Sequence, residues 1–334
     1  MGRHTARLRD LLVARNIPSR IYVEMIDPET ESECRPFSSY AEDSAPGDVL
    51  VYQFATASDM APWLLARTEP LVVNYHNITP PEHYAPWDNG LARHQLRAQA
   101  ELSALAPRTA LGIAMSAFNE AELCAVGYTN TAVVPPAAML PTEHVRRHER
   151  GGASSGARWL SVGRLAPNKA LQNAVMALLV TRAHRDPEAT LDIVGRPVVP
   201  AYTDALHRFV DELGLHGVVR FHGQMSDRAL AAAVAGSDVL VLTSVHEGFG
   251  VPVVEAMSVG LAVVANRAGA LPEILGPGGL LVDTSDPWAL ADAVAATSDA
   301  ASRSAMVAGA HAQLRALDLA TAGERAIDLI SQIR

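Results

Sequence analysis

The sequence predicts an α/β protein built from two parallel-sheet domains, and three observations carry that prediction. Short runs rich in Val, Ile and Leu alternate along the chain with helical patterns. Those runs are apolar from end to end rather than every second residue, as a parallel sheet covered on both faces requires. At 334 residues the chain exceeds one small core and suits two domains of ordinary size.

The elements follow in order. The N-terminal stretch MGRHTARLRDLLVARNIPSR reads as a basic amphipathic helix with Leu8, Leu11 and Leu12 on one face. It lacks the apolar core and cleavage site of a signal peptide. Two readings stay open for it: a helix covering a sheet, or a weak contact with a membrane surface through Arg3, Arg7, Arg9 and Arg15. Strand candidates then come as RIYVE, DVLVYQ, PLVVNYH and TALGIAMS, and, in the second half, as RWLSVG, TLDIVG, VVRFHG, DVLVLTS, LAVVAN and GLLVD. Between the two sets, residues 133–157 (VVPPAAMLPTEHVRRHERGGASSGAR) hold prolines, a charge cluster and a Gly/Ser run without apolar periodicity. The boundary is placed there, giving domains 1–150 and 151–316. Helical patterns close the chain, and the last, about 317–334, can pack back on the first domain.

Composition narrows the function. Hydrophobic residues make up 49% and charged residues 19%, with a net charge of −9 and a pI near 5.7. A nucleic acid partner is disfavoured electrostatically, and small molecules become the natural ligands. No uninterrupted apolar run approaches the roughly 20 residues that span a bilayer. Cys34 and Cys124 stand alone, without the spacing of a zinc site or disulfide framework, and fit a reducing cytoplasm.

In doubly wound sheets, ligands bind beyond the carboxyl ends of the strands, so those loops are where chemistry is expected. GRLAPNK, after RWLSV, holds Lys169, the single lysine beside 26 arginines. Asn168 precedes it where a P-loop needs glycine. No GxGxxG follows a strand, and no two aspartates stand two apart to clamp a metal-nucleotide. Arg164 and Lys169 can then neutralise a diphosphate without a divalent ion; a solvated capping loop is the plain alternative. A Schiff-base lysine is disfavoured because Pro167 and Asn168 suggest an open turn. In TSVHEGFGVPVVEAMSVG (243–260), Gly248 and Gly250 allow close backbone approach, and Pro252 opens a helix whose N-terminus favours anions. Glu247, before that helix, and Glu255, inside it, can accept hydrogen bonds from a sugar and a ribose diol. Each also has a plain reading, as a loop carboxylate in water or a first-turn acid.

VGRLAPNK followed by TSVHEGFGVPVVEAMSVGLAVVANRAGALPEIL resembles the second domain of the retaining glycosyltransferases of family 4, over about residues 158–283. The ordered set is Arg164, Lys169, Glu247, Gly248, Phe249, Gly250, Pro252, Glu255, Ala256, Met257, Gly260, Pro272 and Glu273. The resemblance implies the GT-B fold, two Rossmann-like domains with parallel sheets facing each other across a cleft, acceptor side first and nucleotide-sugar domain second. It implies that Gly163, Arg164 and Lys169 meet the diphosphate, Glu247 the donor sugar and Glu255 the ribose. Backbone from Gly248 through Phe249 and Gly250 to Val251 would meet diphosphate and sugar, and the loops at Gly195, Arg196, Gln224 and Met225 would border the base. In the first domain, similar only in outline, His76 matches a histidine facing the sugar, and Gln53, Asn77, Ser116 and Asn119 lie on the acceptor side. His76, Glu247, Arg164 and Lys169 are the catalytic set implied.

The chain also departs from the family. By the resemblance, the chain starts within the helix expected after the first strand and Gly-rich loop, with only Gly2 left to stand for them; either the true start lies upstream, or the chain is short and another group fills the gap. Gln53 stands where histidine is frequent, and Ala170 where glycine is usual. The implied function is a hexosyltransferase that moves a sugar from a UDP-sugar, or a GDP-sugar as the less favoured donor, to a small-molecule, glycan or lipid-linked hydroxyl. It would use no metal and no cofactor, in the cytoplasm or at the inner membrane face. A non-catalytic nucleotide-sugar-binding module and a sugar-nucleotide 2-epimerase are the alternatives.

Overall fold

The computed structural model describes residues 2–26, 33–136 and 156–333. Most of the expected boundary at 133–157 therefore lies outside the described residues. The chain divides into two compact units: Met1–Pro81, Gly90–Ala138 and Asp318–Arg334 form the first, and Glu82–Asn89 with Met139–Leu317 the second.

The first unit runs through α1 (Gly2–Ala14), β1 (Ile21–Val23), β2 (Cys34–Pro36), α2 (Tyr40–Asp43), β3 (Leu50–Phe54), α3 (Met60–Leu65), β4 (Leu71–Tyr75), α4 (Asn89–Leu105), β5 (Thr109–Ala114), α5 (Ala117–Ala125) and β6 (Thr131–Val133). Its main sheet has the order β3-β4-β5-β6, all parallel. Two local expectations change. The RIYVE run does not join this sheet: β1 pairs with β2 in a separate parallel ribbon, where no residue is fully buried and no apolar face recruits it inward. The strand β6 lies just before and within the stretch read as linker; three residues are too few to show a period, yet they pair with Gly112–Ala114 of β5.

Successive residues of β4 face opposite sides, as pleating demands. Val72 joins Leu111 and Ile113 on the face covered by Leu8 and Leu12 of α1. Val73 and Tyr75 join Tyr52 and Phe54 on the other face, under Ala61 and Leu64 of α3, Ala98 and Leu102 of α4 and Leu123 of α5. The apolar stripe of α1 is thus spent on the sheet.

The second unit comprises β7 (Arg158–Val162), α6 (Leu171–His184), β8 (Thr190–Val194), α7 (Pro200–Glu212), β9 (Val219–Phe221), α8 (Asp227–Gly236), β10 (Val239–Leu242), α9 (Val251–Ser258), β11 (Ala262–Asn266), α10 (Leu271–Leu275), β12 (Leu280–Val282), α11 (Pro287–Ala296) and α12 (Ala300–Leu317). The order β12-β11-β10-β7-β8-β9 is parallel throughout. The chain builds outward from β7 to β9, returns to lay β10 beside β7, and builds outward again to β12. That reversal puts a switch point between β7 and β10, the place where such sheets open a crevice at their carboxyl ends. All four residues of β10 are buried, which explains why DVLVLTS reads as one apolar run.

The chain then returns to the first unit as α13 (Ala322–Ser331). Ala326, Ile327 and Ile330 join Leu8 and Leu12 over Val72, Leu111 and Ile113. Arg15 of α1 pairs with Glu324 and Asp328 of α13.

Candidate functional site

The loop after β7 is anchored on both sides. The Gly163 N–H donates to the Val194 carbonyl over 2.9 Å and the Leu165 N–H to that of Arg196 over 2.9 Å. Leu165, Ala166 and Asn168 are buried, so the open turn expected around Pro167 is instead packed. The cause lies in Asn168: its amide donates to the His246 carbonyl at 3.2 Å, while its own carbonyl accepts from the Val245 N–H at 2.9 Å. Thr243 Oγ1 donates to the Lys169 carbonyl at 2.8 Å. These bonds stitch the loops after β7 and β10 together at the switch point.

That stitching sets Lys169 against Glu247. Their Nζ and Oε2 atoms lie 2.5 Å apart, and each side chain is only 16% exposed. The solvated-lysine reading is thereby replaced by a half-buried ion pair. Arg164 lies on the same loop and is exposed, with no ion-pair partner among the described residues.

Glu247 is held through its backbone. Its carbonyl accepts from the Ala270 N–H at 2.9 Å, and Gly269 passes so close that a Cβ there would sit 2.3 Å from the same oxygen. Gly250, at φ +89°, caps α9 in a left-handed conformation that glycine adopts without cost. Gly248, Phe249 and Gly250 are buried and Val251 half-buried, while Glu255 is 7% exposed on the first turns of α9. His246 is buried beside them, and burial, with help from His83, pulls its pKa down to about 4. It is therefore a neutral imidazole at physiological pH.

Gly195 follows β8 and Gln224 and Met225 follow β9. The Gly195 N–H donates to the Gly223 carbonyl at 2.8 Å, and a Cβ on Gly195 would strike the Gly163 carbonyl oxygen at 1.8 Å. Arg196 and Gln224 are exposed, and Met225 is half-buried. All the donor-side residues read from the sequence therefore sit on α9 or on the loops at the carboxyl ends of β7, β8, β9 and β10.

The remaining candidates gather at the carboxyl ends of β3, β4 and β5 in the first unit. His76 Nε2 lies 2.6 Å from Gln53 Oε1, and burial holds the imidazole well below its ordinary pKa. Asn77, at φ +79°, donates to Asn119 Oδ1 at 3.0 Å and Glu122 Oε2 at 2.8 Å. Burial raises the Glu122 carboxyl above its usual range against the hydrogen bonds from Tyr75 and Asn77. Ser116 accepts from the Asn119 N–H at 3.1 Å as the cap of α5, and both are buried; these two are engaged in shaping the loop.

The sequence reading missed several supporting groups. Asn266 donates to the Ser244 carbonyl at 3.1 Å, and His4, Asn74 and Glu122 surround His76 and Asn77. Gly269 alone carried a signal, as a glycine between a strand end and a proline-opened helix.

Residues 149–311 match the family model described as Glycosyl transferases group 1. That match, to a glycosyltransferase group 1 domain, takes in just under half of the chain. Over 113 residues it is 38% identical to an MMP alpha-(1->4)-mannosyltransferase of Mycolicibacterium hassiacum, covering 34% of this chain and 26% of that protein. Over 143 residues it is 36% identical to a D-inositol 3-phosphate glycosyltransferase of Corynebacterium glutamicum, covering 41% and 34%. The chain thus spans about a third of the length of the curated relatives it matches. The fold extends further. Anabaena HepE, solved with UDP and glucose, superposes with a TM-score of 0.71 at 21% identity over 97% of this chain and 88% of that one. WaaG, described as a glycosyltransferase involved in lipopolysaccharide biosynthesis, gives 0.72 at 16% identity over 98% and 95%. Both units therefore share the parallel-sheet, Rossmann-like fold of these GT-B structures.

Proposed function

We propose that the protein is a retaining glycosyltransferase of family 4 type that moves a hexose from a nucleoside diphosphate sugar to an acceptor hydroxyl without a metal ion. The observation that carries this reading is the meeting of Lys169 and Glu247 at the switch point, beside the start of α9, within the matched domain. UDP is the favoured nucleotide, supported by the structural likeness to HepE, which was solved with UDP and with UDP-glucose. The reaction is placed in the cytoplasm, with any membrane contact weak and carried by the arginine face of α1.

The chemistry is mainly electrostatic. Arg164 and Lys169 take up the charge of the departing diphosphate, helped by the N-terminal dipole of α9. Glu247 accepts from donor sugar hydroxyls and Glu255 from the ribose. The acceptor hydroxyl attacks the face the diphosphate leaves, and its proton passes to the leaving phosphate oxygen; configuration is retained. Before phosphate arrives, Glu247 orients the Lys169 amine; with phosphate bound, that amine is shared between the two anions.

A calorimetric panel of UDP, GDP, ADP and TDP sugars tests the reading, combined with product analysis across acceptors. Binding of one nucleotide series with sugar transfer is expected. Binding without transfer to any acceptor would instead mark a binding module, and rearranged donor without an acceptor would mark an isomerase.

A further inference from the structure

His76 stands at the end of an unbroken hydrogen-bond chain that reaches the first turn of the protein. Gln53 Oε1 lies 2.6 Å from His76 Nε2 and 3.1 Å from Asn74 Nδ2. The same Asn74 nitrogen lies 2.9 Å from Nε2 of His4, and the two imidazoles meet edge to face with centroids 5.1 Å apart. Asn74 is 2% exposed.

Proton counting leaves this chain two arrangements. In the first, Asn74 donates its two amide protons to Gln53 Oε1 and to His4 Nε2; Gln53 Oε1 then also accepts from a protonated His76 Nε2. In the second, both amides turn over: Gln53 donates to Asn74 Oδ1 and to a bare His76 Nε2, while His4 Nε2–H donates to Asn74 Oδ1. The chain therefore couples the two rings, and just one of them carries its proton on Nε2. What is left over decides between them. The first arrangement strands only a carbonyl oxygen, Asn74 Oδ1, which has no hydrogen-bond partner among the described residues. The second strands an amide NH2 with two donors in a closed interior, the rarer and costlier defect.

We propose that Gln53, Asn74 and His4 are positioning residues that fix His76 as the Nε2–H tautomer, leaving Nδ1 as its basic nitrogen. A glutamine at 53 offers a fixed carbonyl acceptor, whereas a histidine there would offer a ring whose own tautomer is undetermined. The chain also gives α1 a part in the site beyond covering the sheet, since His4 supplies the acceptor that saturates Asn74. The consequence for sugar transfer rests on the function proposed above; the tautomer itself does not.

The test is a long-range 1H–15N correlation spectrum of the imidazoles in the full chain at neutral pH, with His76 assigned by its loss in His76→Gln. The expected result is one Nε2–H form for His76 and the Nδ1–H form for His4. Gln53→Ala is expected to turn the His76 pattern into an average of both tautomers, and His4→Ala to do so partially, with far-UV circular dichroism unchanged. An Nδ1–H pattern for His76 in the unaltered protein overturns the proposal, as does a pattern untouched in both variants. The unaltered protein needs no variant to fold, so the first outcome is always readable. Where transfer is measurable, Gln53→Ala should lower kcat by about tenfold with donor affinity unchanged. A correct tautomer without any transfer would count against the transferase reading alone.

Discussion

At the scale of single residues, Lys169 and Glu247 divide one task. The 2.5 Å contact between them holds an amine against a carboxylate at the carboxyl ends of β7 and β10; in the proposed reaction the diphosphate takes up the first and the sugar the second. Lys169→Ala is expected to weaken UDP or GDP binding by about 1.5 to 3 kcal/mol, the range of a charge-assisted hydrogen bond. Titration calorimetry reads this directly, and unchanged nucleotide affinity would remove Lys169 from the clamp. Glu247→Gln keeps the shape and should lower turnover far more than nucleotide binding. Gly269 is the silent member of the set. At φ +54°, with Glu247 backbone atoms at 2.3 and 2.8 Å from any added Cβ, Gly269→Ala must push the Glu247 loop away. We expect a loss of at least about 2 kcal/mol in stability together with donor affinity; a chemical denaturation midpoint equal to the parent would contradict the close approach. Ala170 shows the opposite case: a non-glycine residue at φ +46°, so strain is retained right beside Lys169.

At the scale of elements, what could be read from the sequence follows from burial. The runs around β7, β8, β10 and β11 were legible because both faces of the sheet are covered, so most positions are buried and apolar, and in β10 all of them. Lys169 and Glu247 were legible because strand-end loops carry polar groups that packing does not explain. β1 was legible as a strand in RIYVE, but its pairing with β2 and the edge strand β6 were not, since three residues, none of them fully buried, show no period. His4, Asn74 and Glu122 were invisible for another reason: each acts through a neighbour more than ten residues away in sequence, or seventy in the case of His4 and Asn74. Helix α13 belongs to the legible group in form. Its Ile327 is fully buried against α1 and the main sheet of the first unit. Ile327→Ala should cost about 2 to 4 kcal/mol through lost burial and the cavity left behind. Thermal unfolding monitored at first-unit tryptophan Trp63 would show the loss, and an unchanged midpoint would mean that α13 is dispensable to that unit.

At the scale of the whole molecule, both units bury neutral imidazoles, and acid stability should record it. Burial lowers His4 in the first unit and His246 in the second to about 4, and pushes His76 down as well. The unfolded chain protonates the same rings near 6.5. The folded values lie below the unfolded ones, so the unfolded state takes up protons first as pH falls. Stability is therefore complete above about pH 6.5 and declines toward pH 4, where His246 alone accounts for a loss on the order of 3 kcal/mol. Carboxylates held down by partners act lower on the scale: the Arg67 guanidinium holds Glu69 down to about 2, so its contribution disappears only between about pH 4.5 and 2, while Glu122, raised by burial, gains stability rather than losing it as pH falls. The two groups thus separate in pH, and a loss between pH 6.5 and 5 belongs to the histidines. Denaturation midpoints measured across pH 7.5 to 4.5 should fall in this window, and His246→Gln should flatten the part due to the second unit while leaving the first unit's share in place. A midpoint constant from pH 7 to 5 in the parent protein would show that these rings are hydrated in solution, and with it the closed packing of the loops around Glu247 and His76 would have to be given up.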